Sequence, residues 1–75
     1  MDIVDILLHV PADLSAKDHD YIEHDIQGCD GVVSAHFSQA DPHMLEIAYD
    51  PLKIDSEMLR QHVSERGLAV SKIGL

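Results

Sequence analysis

The chain has one cysteine, no tryptophan and a single phenylalanine among its 75 residues. One cysteine excludes an internal disulfide and any metal site built on a cysteine pair within the chain. The scarcity of aromatics leaves the core to aliphatic side chains. Bases are scarce too: 5 against 14 acids, for a net charge of -9. Such a chain repels the phosphates of nucleic acid and anionic membrane surfaces; its charge suits a basic protein partner or a cation. No apolar run reaches the length of a bilayer span. The N-terminus lacks a basic region followed by an apolar one, so a cytoplasmic protein is the expectation.

What is present is enough for a fold. A hydrophobic fraction of 45% supports a packed core and argues against disorder. Seventy-five residues make one domain, 1–75, that buries roughly 60–65% of its surface. One sheet with helices on one side is about the limit at this size. There are no linkers, low-complexity segments or charged tails.

The most informative stretch is ADLSAKDHDYIEHDIQGCDGV, residues 12–32. Ser15 is a good N-cap, because its hydroxyl can accept from a free N–H of the first turn. Asp18 puts negative charge where the helix dipole is positive. His19, Ile22, Ile26 and Cys29 recur at helical spacing and predict one buried face over 15–27. Gly28 and Gly31 supply the stop and the turn.

On either side the period changes to two. Over 3–10, Val4, Ile6, Leu8 and Val10 alternate with Ile3, Asp5, Leu7 and His9, and Pro11 ends the strand. Over 32–38, Ala35 and Phe37 oppose Ser34 and His36. After the turn Gln39-Ala40-Asp41-Pro42, Leu45, Ile47 and Tyr49 alternate with Met44, Glu46 and Ala48 over 43–50, which makes a hairpin. Pro51 breaks the chain. Asp55 is then an N-cap, with Ile54 and Leu59 placed as a hydrophobic staple. A second helix is expected over 56–66, burying Leu59 and Val63 and closed by Gly67. A last strand is expected over 69–74.

Strand, helix, strand, strand, helix, strand is the split βαβ order. The predicted class is α+β: a ferredoxin-like βαββαβ, two-layer sandwich with a four-stranded antiparallel sheet, both helices on one face and the other face open.

The run CDGVVSAHFSQADPHMLEIAYDPLKIDSEMLRQHVSERGL, residues 29–68, resembles the heavy-metal-associated domain of copper chaperones and metal-transporting P-type ATPases. The resemblance lies in the joint spacing of Gly31-Val32, Tyr49-Asp50-Pro51, Leu59, Val63 and Gly67. It implies the same fold. Counting back from Gly31, that family's C-x-x-C metal motif falls on Ser15 and Asp18, so both thiolates are replaced. Soft ions such as Cu(I) select thiolates, and cysteine-free domains of this kind can serve as protein-interaction modules.

Two sites follow as candidates. Asp18, His19, Asp20, Glu23 and His24 gather around the start of the first helix. Asp20 with His24, and His19 with Glu23, stand four apart on one face and would suit Zn(II), Ni(II) or Cu(II). Acids on a first turn, however, need no ligand to explain them. His19, at an apolar position, reads most simply as a partly buried histidine with a backbone partner. The second site is the open sheet face, with Ile3, Leu7, His9, His36, Met44 and Glu46: too apolar for a free surface, and so an interaction face. Cys29 reads as a small buried hydrophobe. No phosphate loop or nucleophile–base constellation is present, so no enzymatic activity is expected. The expected function is contact with a protein partner, one with a basic rim or a second copy of the chain. A divalent transition metal held by histidine and carboxylates is the alternative.

Overall fold

The computed structural model describes residues 2–11, 14–65 and 70–73. The elements are β1 Val4–His9, α1 Ala16–Gln27, β2 Val32–Phe37, β3 Met44–Tyr49, α2 Ser56–Ser64 and β4 Ser71–Ile73. Within the described residues each lies inside the span that the hydrophobic period predicts. The expected end of α2 at Arg66, its closing Gly67 and the outer ends of the last strand fall outside the described residues.

All pairings are antiparallel, in the order β2-β3-β1-β4. The register sets Leu8 against Leu45 and Ile6 against Ile47. The inward residues of three strands therefore share one face: Ile6, Leu8 and Val10, then Ala35, then Leu45, Ile47 and Tyr49. They meet Ile22 and Ile26 of α1 and Leu59 and Val63 of α2 in a single core. Both helices cover the same face, as the α+β reading requires. Val4 departs from its alternation: at the start of β1 it is 38% exposed.

The helix starts follow from their caps. Ser15 Oγ accepts from the Asp18 N–H at 3.1 Å, and the Asp18 carboxylate accepts from the Ser15 N–H at 3.3 Å. This reciprocal capping box satisfies two donors that the helix leaves free. Asp55 caps α2 by accepting from the Met58 N–H at 2.8 Å, with Ile54 packed against the core that holds Leu59. At its C-terminal end α1 stops on Gly28, the expected residue, in right-handed geometry, φ −79°. The left-handed turn comes at Gly31, φ +99°.

Tyr49-Asp50-Pro51 has a plain physical role. Asp50 is buried, and its N–H donates to the Gly31 carbonyl at 2.7 Å. Its carboxylate accepts from the Leu52 N–H at 3.0 Å, and its carbonyl accepts from the N–H groups of Lys53 and Ile54. One residue thus joins the β2 entry to the turn that launches α2.

Candidate functional site

The loop that enters α1 is closed upon itself. Ser15 and Asp18, where the resemblance would put a thiolate pair, are hydrogen-bonded to each other's backbone in the capping box. A hydroxyl and a carboxylate committed to helix donors form a structural cap, not an open pair of soft ligands.

The five residues expected around this helix start do not converge. Asp18 is engaged in the cap. His19 turns to the sheet and stacks on Phe37, with ring centroids 4.2 Å apart and planes 23° apart. Its partner is therefore a ring rather than the expected backbone group; a flat imidazole fills an apolar position by stacking. Asp20 and His24 lie along a shallow depression with Tyr21 and Asp25, and Glu23 is not among its lining residues. Among the described residues no group of three or more histidine, cysteine, aspartate or glutamate side chains is placed to hold a metal ion. The reason is geometric: a helix aligns residues in pairs, and three donors converge only when a second element supplies one.

Cys29 lies past the helix end and is half-buried, so it belongs less to the core than its place in the apolar period implies. Its thiol donates to the Asp25 carbonyl at 3.7 Å. Burial, and then the negative charge of Asp25, push the thiol up from its ordinary value, which keeps it protonated and a poor nucleophile at neutral pH.

The open face is the other candidate. The register brings Asp5 opposite Ala48, Leu7 opposite Glu46 and His9 opposite Met44, with His36 flanking Glu46 from the other side. Asp5, Leu7, Ser34, His36, Glu46 and Ala48 line a shallow groove of about 320 Å³ across this face. His36 Nε2 stands 3.9 Å from a Glu46 carboxylate oxygen. Ile3 is exposed, while Leu7, Met44 and Ala48 are half-exposed. The groove therefore has an aliphatic floor and two acids. Among the described residues no lysine or arginine lines it; elsewhere Lys53 lies 3.9 Å from Asp30 and Arg60 is forked onto Glu57.

Two contacts were not visible in the sequence. His62 Nε2 lies 2.7 Å from Asp25 Oδ2 and ties α2 to α1. Gln27 donates from Nε2 to the Ala35 carbonyl at 2.7 Å and ties α1 to β2. Both depend on how the elements pack, which a one-dimensional period does not encode.

No family model matches the chain, and no curated protein matches it. Solved structures do. The N-terminal domain of a potential copper-translocating P-type ATPase from Bacillus subtilis, in its Cu(I)-loaded state, is similar with a TM-score of 0.84 at 18% identity, covering 97% of this chain and 90% of that one. Oxidized MerP from Ralstonia metallidurans CH34 has a TM-score of 0.81 at 15% identity, covering 95% and 97%. The CopZ metallochaperone has a TM-score of 0.79 at 19% identity, covering 91% and 100%. At these identities the likeness establishes a shared fold, and the fold is that of the heavy-metal-associated resemblance. Among the described residues no helix is long and apolar enough to cross a membrane.

Proposed function

We propose that this chain is a non-enzymatic protein-interaction module on the fold of copper-handling domains, with its cysteine pair replaced. The observation that carries the reading is the open sheet face, a groove floored by Leu7 and Ala48 and edged by Asp5 and Glu46. Aliphatic side chains left half in water favour a partner; fully burying a wholly exposed leucine is worth roughly 1.5–3 kcal/mol, and a half-buried leucine or an alanine correspondingly less. The acids on the groove and the charge of -9 make a partner with a basic rim the better match. A two-fold homodimer would set Asp5 and Glu46 near their own copies, since such an interface pairs a patch with itself. Repulsion between two strongly acidic chains opposes it further. The expected compartment, on composition, is the cytoplasm.

The face is tested by using the wild type and Leu7→Asp as baits in the source cells, with Glu23→Gln as the control away from the sheet. The expected result is a basic protein recovered by the wild type and Glu23→Gln and lost by Leu7→Asp, with all three baits monomeric by sedimentation. Identical recoveries by all three would sink the reading. A wild-type dimer that Leu7→Asp dissolves would transfer the face to self-association.

A second reading has one observation in its favour. Asp20 and His24 share a depression with Asp25 on α1, and carboxylate with imidazole suits a divalent ion. The Zn(II) titration described next separates that site from the rest of the chain.

A further inference from the structure

The geometry points to a divalent-metal site formed by His9 and His43, off α1 and outside the lining of the sheet groove. The six histidines of the chain have different company. His19 is stacked on Phe37, His36 stands beside Glu46 and His62 is paired with Asp25. His24 lies on the α1 depression. His9 and His43, far apart in the chain, have each other: their ring centroids are 6.2 Å apart and their planes tilted by 54°.

That separation is within reach of a shared ion. Zinc–nitrogen bonds of about 2.0–2.1 Å at a tetrahedral centre set two ligating nitrogens roughly 3.3 Å apart. An imidazole nitrogen lies a little over an ångström from its ring centre. Two rings sharing such an ion have their centres roughly 5 Å apart, so His9 and His43, at 6.2 Å, must turn and close by about an ångström. The tilt matters as well, because rings stacked face to face would set their edges side by side instead of converging.

The backbone holds both residues in place. His9 is the last residue of β1, in register with Met44. The next residue, Val10, donates its N–H to the His43 carbonyl at 2.8 Å, and the His43 N–H donates to the Asp41 carboxylate at 3.0 Å. The backbone is thus fixed, and the side-chain torsions of the two histidines are what remain to be ordered on binding. His9 is exposed and His43 half-exposed, so an ion has a path in. The negative charge of the chain raises the local cation concentration.

Imidazole suits Zn(II), Ni(II) and Cu(II). With two protein donors, the remaining positions go to water or to a donor from a bound partner, so the ion would be held exchangeably. The site lies at the end of β1 from which the chain leaves for α1, the same end as the Ser15–Asp18 cap.

The test is titration of the full chain with Zn(II) chloride, followed by imidazole and backbone NMR. The expected result is that the His9 and His43 rings shift together and saturate at one ion per chain. His9→Gln and His43→Gln should each weaken binding by roughly tenfold or more, since disturbing even an outer partner of a metal ligand costs that much. His36→Gln and Asp20→Asn should leave it unchanged. The wild-type ring shifts decide the matter without any variant, and the backbone spectra of the Gln variants report whether they fold. Shifts centred on Asp20 and His24, an unchanged affinity in both Gln variants, or no saturable shift at millimolar Zn(II) would each overturn the site.

Discussion

Gly31→Ala should lower the stability of the fold by about 2–5 kcal/mol, whereas Gly28→Ala should leave its stability nearly unchanged or slightly raised. Gly31 has φ +99°, a left-handed backbone that costs an L side chain roughly 1–2 kcal/mol. A methyl there would also stand 2.8 Å from Lys53 Cβ and 3.0 Å from Ile54 Cγ2. Overpacking of that kind typically adds about 1–3 kcal/mol. Neither neighbour can withdraw easily, because the N–H groups of Lys53 and Ile54 are both held by the Asp50 carbonyl and Asp50 is held by Gly31 itself. A domain of this length has roughly 4–11 kcal/mol in total. A loss of about 2–5 kcal/mol would lower the melting temperature by roughly 10 °C or more. At Gly28 the added methyl meets only backbone oxygens at 3.5 and 3.7 Å, and φ is −79°. There the smaller entropy of the unfolded chain favours alanine by about 0.4–1 kcal/mol. Thermal melts of the two variants beside the wild type check the contrast; equal shifts would show that the Gly31–Asp50 junction is not the constraint described.

Leu8→Ala should cost about 2–5 kcal/mol. Leu8 has no exposed surface. It sits on β1, which is flanked by β3 and β4, and it faces the layer where α1 and α2 meet the sheet. Removing its branched end leaves a void that the other core side chains cannot close without strain, since the strand ladder fixes the backbones of Leu45 and Ile47. Val4→Ala on the same strand removes a comparable group from a residue that is 38% exposed, and should cost less than about 1 kcal/mol. Urea unfolding of both variants measures this directly. The midpoint should fall steeply for Leu8→Ala with the slope unchanged. A fall of equal size for Val4→Ala would contradict the placement of the core.

Much of this fold is legible in the sequence for local reasons. The alternation of Ile6, Leu8 and Val10, and of Leu45, Ile47 and Tyr49, marks strands whose inner face is buried. Ile22 with Ile26, and Leu59 with Val63, mark helices at their own period. Ser15 and Asp55 announce the helix starts because capping is a matter of three neighbouring residues. The candidate sites are less legible. The start of α1 looks like a ligand cluster only while its side chains are counted along the chain. In three dimensions Asp18 turns back to the cap and His19 turns inward to Phe37. The contacts that do form between histidines and distant residues, His9 with His43 and His62 with Asp25, depend on strand register and on the packing of two helices. No spacing rule anticipates them. Val4 fails for a related reason: alternation tells which way a residue points, but not whether it is covered there.

The loop at Ser15 and Asp18 bears most directly on what the chain does. If the two residues are a helix cap in place of a thiolate pair, the wild type has no soft-metal site there. Competition for Cu(I) against a chromogenic chelator measures this, with Ser15→Cys/Asp18→Cys as the companion variant. The predicted result is that the wild type leaves the chelator complex intact, while the double variant withdraws Cu(I). Stoichiometric withdrawal of Cu(I) by the wild type would contradict the account and return the chain to the copper carriers whose fold it shares.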